Sequence, residues 1–195
     1  KQHDRKELQF SDLFSQFDRF GTGFAQKFLR TLFTVLWSFL LIIPGIVKGI
    51  GMAVCALLSP GDKVIIQPPV YHPFRLVPQG YGHEVVMNPL VERPDGYYDM
   101  DFEHLARVAD EHCRLLILCN PHNPAGHVWT REELERMASI CISHGVPIIS
   151  DEIHCEIVMP GYSYTPLASI SPEISRNTVT FCSPSKAFNI AGLQI

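Results

Sequence analysis

The feature that most constrains this chain is a series of short, unbroken apolar runs beyond Ser59, each closed by a polar stop. Val64 to Gln67, His83 to Met87, Arg114 to Cys119, Pro147 to Ser150 and Thr178 to Cys182 are each four to six residues long. That is strand length, too short for a buried helix. Strands that are apolar throughout, instead of alternating, belong in a sheet covered on both faces. Between them, Phe102, Leu105, Val108 and Ala109 recur at helical spacing within Asp101 to Cys113. Thr130 with Glu133 makes a capping box that opens a helix through about Ser143, ended by Gly145. Pro68-Pro69 stops the first strand. The prediction is an α/β fold, a mostly parallel sheet with helices on both faces.

The first 47 residues have a different character. Phe10, Phe14, Phe17, Phe20, Phe24 and Phe28 fall three or four apart, the signature of one helix face. Thr31 to Val47 then holds 17 uncharged residues between Arg30 and Lys48, at the short end of the roughly 17–25 needed to cross a bilayer. Two readings stay open: a membrane or interfacial helix, and a buried helix or strand. Pro44-Gly45 would break either. Any membrane contact is confined to residues 31–47.

Composition narrows the partners. Sixteen Lys+Arg against 20 Asp+Glu give a net charge of −4 with no basic cluster, which argues against nucleic acid. The six cysteines show no CxxC spacing and the nine histidines no HExxH. No metal site is expected, and the cysteines read as reduced thiols of a cytoplasmic protein. No signal-peptide pattern leads the chain.

In open α/β sheets ligands sit at the carboxyl ends of the strands. Four such ends are polar here: Tyr71 after the first strand, Asn120-Pro121-His122-Asn123-Pro124-Ala125-Gly126 after the third, Ser150-Asp151-Glu152-Ile153-His154 after the fourth, and Ser183-Pro184-Ser185-Lys186 after the fifth. Singly, Asn123-Pro124 is a turn, Asp151 a helix cap, Lys186 a solvated amine and Tyr71 core packing. At successive strand ends they mark a candidate site.

The strings NPHNPAG (120–126), SDEIH (150–154) and SPSKAFNIAGLQ (183–194) resemble the large domain of the class I/II aminotransferase family of fold-type I pyridoxal-phosphate enzymes. With PPVYHPF (68–74) they are more similar to its cystathionine β-lyase-like, C–S lyase branch. The order and spacing agree, 28 positions from Asn123 to Asp151 and 35 from Asp151 to Lys186. The resemblance implies pyridoxal 5′-phosphate as cofactor, with Lys186 as the Schiff-base lysine and catalytic base and Asp151 as the partner of the pyridine nitrogen. It implies Asn123 and His154 as contacts of the ring 3′-oxygen, Tyr71 as the aromatic stacked on the ring, and Ser183 with the Gly45-Ile46-Val47 turn as phosphate contacts. The implied activity is β-elimination of a cysteine S-conjugate or cystathionine to pyruvate, ammonia and thiol. Class I/II transamination is the alternative on the same residues, and a membrane protein with a vestigial soluble part is a third reading.

The resemblance covers residues 44–195, which are expected to form an incomplete large domain. Residues 1–43 instead resemble a family of small bacterial integral membrane proteins, as if a foreign head were joined at Pro44 to Val47 by gene fusion or misassembly. The chain stops nine residues past Lys186. The family's small domain and its carboxylate-gripping arginine are therefore expected to be missing, and the full-length parent is expected to be a homodimer acting on an amino acid.

Overall fold

In a computed structural model of the chain, residues 48–190 are described. Residues 48–57 form helix α1, followed by β1 (Lys63–Ile66), α2 (Pro73–Gly80), β2 (Glu84–Met87), β3 (Val91–Glu92) and β4 (Tyr98–Asp99). Next come α3 (Phe102–Val108), β5 (Cys113–Cys119), α4 (Arg131–Ser143), β6 (Ile148–Asp151), α5 (Pro172–Arg176), β7 (Thr178–Phe181) and α6 (Pro184–Ala187). Five strands pair in parallel in the order β2-β1-β5-β6-β7, and β3 and β4 form a separate antiparallel pair.

The two-sided burial expected from the apolar runs is present, and strand alternation divides it. Leu115, Ile117 and Cys119 of β5 and Ile149 of β6 pack with Ile50 and Val54 of α1 and Phe74 and Val77 of α2. Leu116, Leu118 and Ile148 point the other way, onto Leu105 of α3, Leu134, Met137, Ala138 and Cys141 of α4, and Ile174 of α5. Leu115 to Leu118 are all fully buried. Removing such side chains from water is what drives this layered packing.

Helix α4 starts where the sequence indicated. Thr130 Oγ1 accepts the Glu133 N–H (3.2 Å), and Glu133 Oε2 accepts the Thr130 N–H (2.8 Å). Helix α3 departs from expectation by ending at Val108 instead of running toward Cys113. Asp110 takes over the chain: its Oδ1 accepts from the N–H groups of His112 (2.8 Å) and Cys113 (3.1 Å), which turns the backbone into β5. At the strand ends the sheet borders differ from the expected runs by one residue, with β6 closing on Asp151. Asp151 is therefore a strand terminus and not a helix cap.

The phenylalanine-spaced segment and the run from Thr31 to Val47 lie outside the described residues. Among the described residues no helix is long and apolar enough to cross a membrane.

Candidate active site

The chain runs from β1 outward to β2, then crosses to β5 on the opposite side of β1 and continues to β6 and β7. The direction of strand order thus reverses between β1 and β5, the point at which open α/β sheets form their ligand crevice. Residues 67–71 leave β1 on one side of that point. Residues 120–126 leave β5 on the other, flanked by the ends of β6 and β7. The predicted residues Tyr71, Asn123, Asp151, His154, Ser183 and Lys186 all fall on this carboxyl edge. Gly45, Ile46 and Val47 lie outside the described residues.

Asp151 is the most constrained of them. It stands opposite Cys119 on β5 and Phe181 on β7, and only 3% of its surface is exposed. Its Oδ1 accepts one hydrogen bond, from the Ile153 N–H at 3.2 Å, and no cation among the described residues pairs with it. Burial, with a smaller contribution from the Glu152 charge, pushes its carboxyl up to about 6. A buried carboxylate with unused acceptor capacity has a site for a cationic or N–H donor group.

Asn123 is half-buried and placed by its backbone, whose N–H donates to Cys119 Sγ at 3.3 Å while that thiol donates to the Pro121 carbonyl at 3.4 Å. The loop is anchored further by Asn120, which is fully buried. The Asn120 N–H donates to the Asp151 carbonyl (3.0 Å), its Nδ2 donates to the Thr165 carbonyl (3.2 Å), and its Oδ1 accepts from the Trp129 N–H (3.4 Å). Trp129, fully buried, donates its Nε1–H to the Cys119 carbonyl at 2.9 Å. His122 packs edge-on to Trp129, with ring centroids 5.8 Å apart. Burial pulls the His122 imidazole down to about 4, and neither ring nitrogen has a hydrogen-bond partner among the described residues.

On the far side, Ser183 opens α6: its Oγ accepts the Ser185 N–H (3.2 Å) and donates to Ser185 Oγ (2.9 Å). Lys186 lies one turn into α6, exposed. Half-buried His154 is held below the usual imidazole range, first by burial and then by the charge of Lys186, so these two side chains share one neighbourhood. Tyr71 is half-buried and meets Phe74 edge-on at 6.0 Å. The edge therefore offers a primary amine, an isolated carboxylate, an amide, an imidazole, hydroxyls and an aromatic ring. That donor set fits pyridoxal phosphate, which needs an amine for its aldehyde, an anion for its ring nitrogen and donors for its oxygens.

Three residues that shape this edge were not singled out from sequence: Asn120, Trp129 and Glu152. Glu152 is 2% exposed, and its signal was a carboxylate lodged between Ile149 and Ile153 at a strand end. No group of three or more His, Cys, Asp or Glu able to hold a metal ion occurs among the described residues.

A parallel α/β sheet whose carboxyl edge brings together a lysine, a buried carboxylate without a cationic partner and an asparagine suits a cofactor-binding enzyme. Comparison with known proteins identifies it. The family "Aminotransferase class I and II" matches residues 18–195, and the chain belongs to that pyridoxal-phosphate-dependent family. Cystathionine β-lyase PatB of Bacillus subtilis is 47% identical over 152 residues, covering 77% of this chain and 39% of PatB. Protein MalY of Escherichia coli is 30% identical over 177 residues, 90% of this chain and 45% of MalY. Cystalysin from Treponema denticola, whose crystal structure contains pyridoxal 5′-phosphate, superposes with a TM-score of 0.74 at 40% identity over 76% of this chain and 38% of cystalysin. Mouse kynurenine–oxoglutarate transaminase 3 is 32% identical over 71% of this chain and 32% of its own length. The chain thus spans less than half the length of the relatives it matches. The family match reaches back to residue 18, across the segment set apart above, and the resemblance of residues 1–43 to membrane proteins finds no support.

Proposed function

We propose that this chain is part of a pyridoxal-phosphate-dependent C–S β-lyase that cleaves a cysteine S-conjugate or cystathionine to pyruvate, ammonia and a thiol. The single observation that carries the reading is the buried Asp151 carboxylate, which has one N–H donor and no counter-ion and lies on the same edge as Lys186. The names of PatB and cystalysin's cofactor support it.

Bound pyridoxal phosphate supplies an electron sink that lets a substrate Cα proton leave. The residues of this chain do the rest. Asp151 would keep a proton on the ring nitrogen by offering its unused carboxylate oxygen, since a fixed anion beside a developing positive charge stabilises it most in a dry site. Asn123 Nδ2 would donate to the ring 3′-oxygen, with His154 as a further contact. Tyr71 would cover one ring face and fix its plane. Ser183 and the segment Gly45-Ile46-Val47 would hold the phosphate. Lys186 Nζ would hold the aldehyde carbon, and once displaced by the substrate amine it would take the Cα proton. With that proton gone, the Cβ–S bond would break with its electron pair leaving on the thiolate, and water would convert the remaining three-carbon unit to pyruvate and ammonia. A second copy of the full-length parent is the partner that the family resemblance implies.

Transamination is the second reading, favoured by the match to a transaminase; there Lys186 would take the same proton, and the amino group would stay behind instead of a thiol leaving. Incubation of the full-length parent with L-cystathionine and pyridoxal phosphate separates the two. The proposal expects pyruvate and free thiol without any added keto acid. Turnover that requires a keto acid and releases no thiol would contradict it.

A further inference from the structure

The loop that carries Asn123 is closed upon itself. The His122 N–H donates to the His127 carbonyl at 2.7 Å, and the Gly126 N–H donates to the His122 carbonyl at 2.8 Å. Those two bonds set the shape of the turn but not where it stands against the strand that ends in Asp151. Placement falls to Asn120, which is fully buried. Its backbone N–H donates to the Asp151 carbonyl at 3.0 Å. Its side-chain amide makes two bonds to other parts of the chain: Nδ2 donates to the Thr165 carbonyl at 3.2 Å, and Oδ1 accepts the Trp129 N–H at 3.4 Å. One side chain thus joins the start of the loop, its end at Trp129 and a segment 45 positions away.

That distant segment is itself pinned. Glu152, 2% exposed, accepts the Leu167 N–H on Oε1 at 3.0 Å and the Tyr164 hydroxyl on Oε2, while Ser150 Oγ donates to Oε1 at 2.8 Å. The Glu152 N–H donates to the Phe181 carbonyl at 2.8 Å, at the end of β7. Residues 164–167 therefore form a strap fixed to the β6–β7 side of the sheet, and Asn120 Nδ2 ties the Asn123 loop to it. A primary amide suits this junction because it presents a donor and an acceptor on one short stem. Asp would lose the donor, and Ala would leave the buried Trp129 N–H without its partner.

We propose that Asn120 is a positioning residue that, anchored on the 164–167 strap, holds the Asn123 loop in place against the Asp151 strand end. The inference rests on the reading that Asn123 contacts the ring 3′-oxygen of the cofactor. The effect of Asn120 passes through Asn123 and not through any contact with substrate. A donor fixed before binding loses little freedom when the cofactor arrives, which is how a rigid support raises affinity.

The first arm of the test needs no cofactor. Amide hydrogen exchange is followed by NMR in the wild-type chain, in Asn120→Ala and in Tyr164→Phe. Asn120→Ala should speed exchange at the amides of position 120, His122, Asn123 and Gly126 by roughly tenfold to a hundredfold, while the amides of Leu115 to Leu118 in β5 keep their rates. Tyr164→Phe, which frees one end of the strap and leaves the ring in place, should move the same loop amides by less. Acceleration of all amides by one common factor, or none in the loop, overturns the proposal. If Asn120→Ala does not fold, unmoved loop exchange in Tyr164→Phe overturns it equally.

In the second arm, pyridoxal phosphate binding is measured for Asn120→Ala, Asn123→Ala and the double variant. Each single substitution should weaken binding by roughly tenfold. The double variant should bind no more than about twofold more weakly than Asn123→Ala alone, because both losses act through one side chain. Losses that multiply would show Asn120 acting on the fold at large and overturn the proposal. Absence of binding by the wild-type chain would refute the functional reading instead, and the exchange arm still decides whether Asn120 places the loop.

Discussion

Replacing Asp151 by Asn should make the cofactor-free chain more stable at neutral pH, by an amount that vanishes in acid. Burial raises the Asp151 carboxyl from 3.8 to about 6, so the folded state holds its proton more tightly than the unfolded chain does. The stability this contributes is complete below pH 4, where both states are protonated. It is lost as pH rises through 6, where the folded chain must bury the charge. About two pH units of difference correspond to roughly 3 kcal/mol as an upper limit. Asn carries no charge to bury, and its Oδ1 can still accept the Ile153 N–H now donated to Asp151 at 3.2 Å. Urea unfolding with linear extrapolation, at pH 4 and at pH 7.5, should therefore show little difference between the two proteins in acid and a gain of about 2–3 kcal/mol for Asp151→Asn at pH 7.5. The same substitution should abolish tight cofactor binding, the trade expected where a site stores unfavourable burial for function. A variant no more stable than wild type at pH 7.5, or one whose advantage is equal at both pH values, would refute the reasoning.

Two further outcomes follow from single contacts. Thr130→Ala removes the side-chain half of the α4 capping box and should cost about 1 kcal/mol in the same unfolding measurement, with no effect on cofactor binding. Cys119→Ala removes both the acceptor of the Asn123 N–H and the donor to Pro121, and should weaken pyridoxal-phosphate binding measured by fluorescence quenching, whereas Cys119→Ser, which keeps a donor and an acceptor, should restore most of it.

How far the sequence disclosed the molecule depended on the length scale of each interaction. Strand β5 and helix α4 were legible because burial on both faces leaves an unbroken apolar run and a cap leaves Thr and Glu three apart. Asp151, Asn123 and Lys186 could be placed on the carboxyl edge because each stands at or just after a strand end. Helix α6, four residues long, is too short to show a period of 3.6, and β3 and β4, two residues each, leave no alternation. The roles of Glu152 and Asn120 depend on residues 164–167 folding back over the sheet edge, contacts 12 to 45 positions apart that no local pattern encodes. The end of α3 was misplaced for a related reason: Ala109 continues the apolar spacing, but Asp110 captures the backbone N–H donors of His112 and Cys113.

The central claim is that Lys186 is the residue that holds pyridoxal phosphate. The chain is incubated with one equivalent of the cofactor, reduced with borohydride and digested, and the modified peptide is mapped by mass spectrometry. The account predicts a reduced adduct on Lys186 that is lost in Lys186→Ala and strongly diminished in Asp151→Asn. Label spread over other lysines, or unchanged by either substitution, would contradict it.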